Sequence, residues 1–243
     1  MSIHLHHIDH SGTVDDEAAL EQFQKGWSTY QKIVDNDVLA HKEVGDILHR
    51  TLSAIPDPID FLDIACGDAG QMQQALANTQ VRHYRGIDLS QPALELAAKN
   101  LDGVSFDVDL DHSDFVTELT GRHHTSDVSW CGLSVHHLTI DGKRALMQAL
   151  CDTTSRFLMV YEPIMREGES LESYLDRYAR LNKPAWTFLA PEEWDQIFHH
   201  ISTCDLPETP KAWMELGREA GFMNAREIYV DPAGLYGLYR YDR

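Results

Sequence analysis

The apolar positions of this chain change period twice. From Glu17 to about Ala54, Phe23, Trp27, Tyr30, Ile33 and Val34 recur at three- and four-residue steps, and Val38, Val44, Ile47, Leu48 and Leu52 continue the pattern, which predicts two amphipathic helices. Pro56-Asp57-Pro58 ends them, because proline lacks a backbone donor and drives its predecessor away from helical dihedrals. Short apolar runs then alternate with helical stretches. Strands are predicted at Asp60 to Ala65, His83 to Asp88, Val104 to Val108, Thr125 to Leu133 and Arg156 to Glu162, with helices at Gln71 to Thr79, Gln91 to Leu101, Phe115 to Thr120 and Ile140 to Thr153. Beyond Glu162 the alternation stops. Leu171, Tyr174, Leu175 and Tyr178, then Trp194, Ile197, Phe198 and Ile201, each form a helical stripe, which marks an insertion at about 164–210. A helix from Pro210 to Ala220, closed by Gly221, leads into strands at Ala225 to Val230 and Leu235 to Tyr241 around the turn Asp231-Pro232-Ala233-Gly234.

Strand and helix in alternation are the signature of an α/β fold with a parallel sheet. The expectation is a doubly wound, seven-stranded, mostly parallel sheet whose last strand, entered by a hairpin, runs antiparallel. Residues 17–55 form a helical cap ahead of a main domain at 56–243, whose helical insertion serves as a lid. Residues 1–16, with His4, His6, His7 and His10 among polar neighbours, are expected to be a disordered tail.

Composition narrows the partners. Twenty Lys and Arg against 39 Asp and Glu leave a formal charge of −19, a field that repels nucleic acid and anionic membrane surfaces. The expectation is a soluble, cytoplasmic monomer or homodimer, since no apolar run is long enough to span a bilayer and no signal peptide is recognisable. The four cysteines, Cys66, Cys131, Cys151 and Cys204, form no CxxC pair and are expected to be reduced.

The segment Asp63-Ile64-Ala65-Cys66-Gly67-Asp68-Ala69-Gly70 carries the chemistry. An apolar strand ends in a carboxylate, passes through small residues that let a ligand approach the backbone, and enters a helix whose first amides point outward. Twenty-five positions later, the strand His83-Tyr84-Arg85-Gly86-Ile87-Asp88 ends in a second carboxylate, placed to reach a ribose diol. With DIACGDAG and GIDLS as its first two motifs, the chain resembles the class I S-adenosylmethionine-dependent methyltransferases, small-molecule type, from about Pro58 onward. Ala65 and Ala69 stand where many members have glycine, which leaves the third small position of the turn at either Ala69 or Gly70.

The resemblance implies a Rossmann-like methyltransferase fold and S-adenosyl-L-methionine as cofactor, leaving S-adenosyl-L-homocysteine as product. It further implies that Asp63 lies near the methionine amine, that Ala65, Cys66 and Gly67 underlie the ligand, that Asp88 receives the ribose hydroxyls, and that Leu89 packs on the adenine. An acceptor for the adenine amino group is expected from the third strand, at its end: Asp109, with Asp107 and Asp111 as alternatives. Gly132 and Leu133, ending the fourth strand, should line the sulfonium pocket with backbone. His136 and His137, in Ser134-Val135-His136-His137-Leu138, follow that strand at the sheet edge where open α/β folds bind ligands, and a similar S-x-H-H-L recurs in many small-molecule methyltransferases. They are the candidates for a general base, because an imidazole titrates near neutrality; capping the next helix or packing under the lid is the alternative role. Tyr161 and Glu162 at the fifth strand's end, Tyr30 and His41 in the cap, and Tyr174 in the lid are candidate substrate contacts.

The function expected is methyl transfer to an O, N or C acceptor on a small organic molecule. A non-catalytic S-adenosylmethionine-binding or regulatory module, or a protein side-chain methyltransferase, is the alternative. A nicotinamide-dependent oxidoreductase shares the second-strand carboxylate, but its first strand runs into GxGxxG without an acidic tip such as Asp63. No metal is expected, since Asp107, Asp109, Asp111 and Asp114 fall on two faces and spacing supplies His199-His200 with no carboxylate partner.

Overall fold

The computed structural model describes residues 3–6, 29–121 and 125–243. Strands β1 (Ile3–His6), β2 (Ile59–Ile64), β3 (Val81–Asp88), β4 (Asp107–His112), β5 (Ser126–Gly132), β6 (Thr154–Pro163), β7 (Asn224–Val230) and β8 (Tyr236–Asp242) form one sheet in the order β1-β4-β3-β2-β5-β6-β8-β7. All neighbours pair in parallel except β8, which is antiparallel to both β6 and β7. Seven of these strands reproduce the doubly wound order, with the hairpin strand reversed. The eighth is unexpected. Residues 3–6, assigned from sequence to a disordered tail, pair with Val108 to Asp111 along the free edge of β4. Ile3-His4-Leu5-His6 alternates with the period of a strand, and the edge offers it a row of unpaired amides and carbonyls.

Helices cover both faces. Residues 29–35 (α1), α2 (His41–Ser53), α3 (Met72–Leu76) and α4 (Gln91–Asn100) precede α5 (Phe115–Gly121), α6 (Ile140–Thr153), α7 (Leu171–Asn182), α8 (Pro191–Cys204) and α9 (Pro210–Glu219). Trp27 lies outside the described residues. Two apolar layers result, because successive strand side chains alternate faces: in β2, Ile59 and Phe61 join the layer containing α2, α3 and α4, while Leu62 and Ile64 join that of α6 and α9. Helix starts follow local chemistry. Ser90, Thr139, Ser170 and Thr209 each accept the amide three residues on, and Pro92 and Pro210 occupy first-turn positions where no amide donor is needed.

One boundary moved. The third predicted strand, Val104 to Val108, is displaced to Asp107–His112. The aspartates that extend it find partners on β3: His83 Nε2 lies 2.9 Å from Asp109, and the Arg85 guanidinium donates through Nε to Asp111 at 2.5 Å. Cross-strand charge pairs stabilise a segment whose own strand propensity is poor.

Gly217 shows how closely α9 packs on β8. A Cβ built there would lie 2.1 Å from Cδ1 of the buried Tyr241 ring, whose hydroxyl donates to the Trp213 carbonyl at 3.1 Å. Glycine to alanine inside a helix ordinarily gains about 1 kcal/mol, but here overpacking reverses the sign. Gly217→Ala is expected to lose roughly 1–3 kcal/mol, read as a fall in thermal midpoint of about 2–4 °C per kcal/mol.

Candidate active site

The site is built at the carboxyl end of β2. Beyond Ile64 the chain turns through Ala65, Gly67 and Ala69, whose φ angles are 53°, 55° and 50°. Every second residue is left-handed, so the third small position of the turn is Ala69 rather than Gly70. Alanine in this region lies about 1–2 kcal/mol above its preferred basin, so the bend is held from outside. Cys66 N–H donates to the Ile87 carbonyl at 3.0 Å, and Gly67 N–H donates to Asp88 Oδ2 at 2.8 Å. The other Asp88 oxygen receives Ser90 N–H at 2.8 Å. Gly86 makes room beneath: a Cβ there would meet Cys66 Sγ at 2.8 Å.

Asp63 faces the same space. It is 2% exposed and accepts the Tyr84 hydroxyl at 2.6 Å. Burial, opposed by that hydrogen bond and reinforced by the nearby Asp88 charge, pushes its carboxyl up to about 7. Asp88 is also raised, chiefly by burial.

Above the bend lies a cavity of about 350 Å³, at the small end of the size range for ligand sites. Asp63, Ala65, Cys66, Gly67, Asp88, Gly132 and Leu133, all expected to bind cofactor, line it, and Leu133 has φ 56°. Tyr30, His41 and Tyr161, expected on the substrate side, line it too. Asp68, Met72, Leu48, Trp130 and Ser134 complete the wall without having been singled out; for Trp130 the signal was available, since it stands near the end of the strand that leads into Gly132. None of the described residues around the cavity is lysine or arginine.

The roof comes from α1 and α2; none of the described residues lining the cavity belongs to the insertion. Tyr161 donates its hydroxyl to the Leu39 carbonyl at 2.9 Å, fixing the corner between α1 and α2 over the sheet. On α1, Lys32 Nζ reaches the Glu193 carboxylate of α8 at 2.6 and 2.8 Å. His41 opens α2 within the cavity wall. Its Nδ1 is buried without a hydrogen-bond partner, and burial, against the raising influence of Asp37 and Asp68, holds its pKa below the ordinary value. It is a neutral imidazole at physiological pH.

Other expected contacts fall elsewhere. Neither His136 nor His137 lines the cavity. They occupy a single 3₁₀ turn, Val135–His137, whose amides are gathered by Glu162: its Oε1 accepts Ser134 N–H at 3.0 Å and Val135 N–H at 2.8 Å, and its Oε2 lies 2.5 Å from His136 Nδ1. Glu162, fully buried and outside the cavity lining, shapes the turn after β5. Asp109 stands mid-strand against His83, not at a strand end, and Asp107 and Asp111 are likewise absent from the cavity wall. Leu89 is 62% exposed outside the wall, and Tyr174 is buried in the lid beside Tyr178.

Residues 61–155, from β2 to the start of β6, match the family described as Methyltransferase domain. That match spans 95 of the 243 residues and takes in the whole of the bend and the cavity floor. No curated protein sequence matches the chain. Among solved structures, the domain's fold is similar to magnesium protoporphyrin IX methyltransferase from Synechocystis PCC 6803 with bound SAH, at 16% identity and a TM-score of 0.64 over 94% of this chain and 100% of that one. Human N-acetylserotonin methyltransferase in complex with SAM is similar at 14% identity and a TM-score of 0.56, over 82% of this chain, which spans about half (51%) of that protein. A possible exported protein from Bordetella parapertussis aligns at 18% identity and 0.59, over 83% of this chain and 67% of its own. No helix among the described residues is long and apolar enough to cross a membrane.

The raised carboxyl of Asp63 makes the empty site unstable with rising pH. A carboxyl that ionises near 7 when folded and near 3.8 when unfolded binds more protons in the folded state between those values, so stability falls as pH rises through that window and stays low above it. Asp63→Asn removes the ionisation. The ligand-free variant is expected to match wild type near pH 4 and exceed it at pH 8 by on the order of a few kcal/mol, measured as the difference in thermal midpoint across that range.

Proposed function

We propose that the domain transfers a methyl group from S-adenosylmethionine to an O, N or C acceptor on a small organic molecule held beneath α1 and α2. The observation that carries this reading is the pair Asp63, buried, and Asp88, half-buried, on either side of the left-handed bend in a cavity whose described lining holds no lysine or arginine. Such a pocket favours a cationic ligand, since a nearby positive charge returns both carboxyls to their ionised form. When bound, the cofactor supplies an electrophilic methyl on a positively charged sulfur. Asp63 is placed to receive the amino-acid ammonium, Asp88 the ribose hydroxyls, and the bend at Ala65 and Gly67, with open space at the Gly67 Cβ position, gives the ligand close approach to the backbone. Gly132 and Leu133 line the other side of the same cleft.

An acidic pocket stabilises the cofactor before and during transfer alike, so acceleration comes from alignment and from excluding water. Val44, Leu48, Met72, Trp130 and Tyr161 give the acceptor an apolar wall. His41 takes over the role expected of His136 and His137: its unpartnered Nδ1 can accept a proton from a hydroxyl, phenol or ammonium, and the Asp37 and Asp68 charges stabilise the imidazolium that forms.

Calorimetry tests the cofactor reading. Wild type is expected to bind S-adenosylhomocysteine with a Kd in the micromolar range, and Asp88→Ala to weaken it at least tenfold; absence of binding, or full affinity in the variant, refutes the assignment. With an acceptor found by release of S-adenosylhomocysteine, His41→Ala should lower kcat on the order of 10²-fold or more while leaving cofactor Kd within threefold. Unchanged kcat would remove His41 from proton transfer.

A further inference from the structure

Outside the cavity lining, four side chains from two parts of the chain converge. His136 Nε2 and His137 Nδ1 each lie 3.6 Å from Asp205 Oδ1, and His200 Nε2 lies 4.0 Å from the same oxygen. That oxygen is buried and accepts no hydrogen bond among the described residues. One ligand atom each from His136, His137 and Asp205 fall within 4.8 Å of one another. A buried carboxylate oxygen ringed by three imidazole nitrogens, all just beyond hydrogen-bonding range, is an arrangement that protein groups alone leave unsatisfied.

We propose that His136 Nε2, His137 Nδ1, His200 Nε2 and Asp205 Oδ1 form a tetrahedral site for a divalent transition-metal ion, zinc by ligand type. Zinc–nitrogen bonds of about 2.0–2.1 Å in a tetrahedron separate ligand atoms by roughly 3.3 Å; the distances to Asp205 Oδ1 are 3.6, 3.6 and 4.0 Å, the atoms of His136, His137 and Asp205 lie within 4.8 Å of one another, and the exposed His200 ring swings in to complete the set. Imidazoles with one carboxylate suit zinc better than the oxygen-seeking magnesium or calcium.

The surroundings fit as well. His136 Nδ1 faces Glu162 at 2.5 Å, the carboxylate–histidine partnership that orients a ligating imidazole and leaves its other nitrogen for the metal. The His137 ring stands 4.1 Å, centroid to centroid, from that of His136, with its Nδ1 turned toward Asp205. Lys143 is the nearby cation, and it is engaged by the Leu206 carbonyl and by Glu208 at 2.7 Å, so Glu162, Asp205 and Glu208 outnumber it. On binding, the proton at His136 Nε2 leaves to solvent. The spacing of His199-His200 alone offered no carboxylate; the turn after α8 brings Asp205 back to it. An ion here would pin the end of α8 to the turn after β5, two residues from the cavity-lining Ser134, and so lock the lid to the sheet edge without touching the methyl-transfer site.

The test is zinc uptake by the full chain after stripping with a chelator. Wild type is expected to bind one equivalent tightly, with a rise in thermal midpoint, and cobalt(II) in its place to give the intense visible bands of a tetrahedral ion. His200→Ala, at an exposed position, and His137→Ala, each checked for native circular dichroism, should weaken uptake at least tenfold. The full chain with His4, His6, His7 and His10 all changed to serine should retain it. The proposal is overturned if stripped wild type takes up no zinc, if His200→Ala binds it unchanged, or if uptake disappears with the four N-terminal histidines.

Discussion

Two carboxylates held out of water at the tips of adjacent strands, with no cation between them, are the constraint on which the rest of this site depends. Each is partly compensated by hydrogen bonds: Asp88 by the amides of Gly67 and Ser90, Asp63 by the Tyr84 hydroxyl. Compensation by neutral donors is incomplete, and the raised ionisation of both groups measures what is left. The same hydrogen bond that steadies Asp88 pulls Gly67 toward β3, which helps keep Ala65 and Ala69 in the left-handed region despite their methyl groups. Electrostatic strain and backbone strain are thus stored in one bend, and a positively charged ligand relieves the first.

The roof follows from the same economy of contacts. Leu133, also left-handed, turns the chain after β5 so that Glu162 can collect three successive amides; this points His136 and His137 away from the cavity and toward Asp205. The vacated position above the bend is taken by His41 at the start of α2, and the α1–α2 corner is tied to the sheet by Tyr161. His41 on the cap and the Asp63–Asp88 bend on the sheet belong to different layers, so their alignment depends on how the cap is seated.

Much of this was legible before any coordinates. Asp63 and Asp88 were readable because a carboxylate after an apolar strand, followed by small residues, has few structural uses. The hairpin and the insertion were readable from changes in period. Asp109 was not, because cross-strand pairing with His83 carries β4 past the expected strand end, and a pattern within one strand carries no information about its neighbour's charges. Tyr174 packs beside Tyr178 and not on the cavity; a helical stripe shows that a side is buried and not what it is buried against. His136 and His137 were correctly placed at the sheet edge, but their direction is set by Glu162, distant in sequence. The pairing of residues 3–6 with β4 is likewise decided by an edge that the N-terminal sequence cannot reveal.

The contact between Lys32 and Glu193 joins helices that are 161 positions apart along the chain. Its lysine side chain is 44% exposed, so the link is of the kind that contributes at most about 1 kcal/mol and weakens with salt. The cap and the insertion are therefore latched and not welded. Salt therefore loosens the tie between α1 and α8 while leaving the buried hydrogen bonds beneath the bend in place.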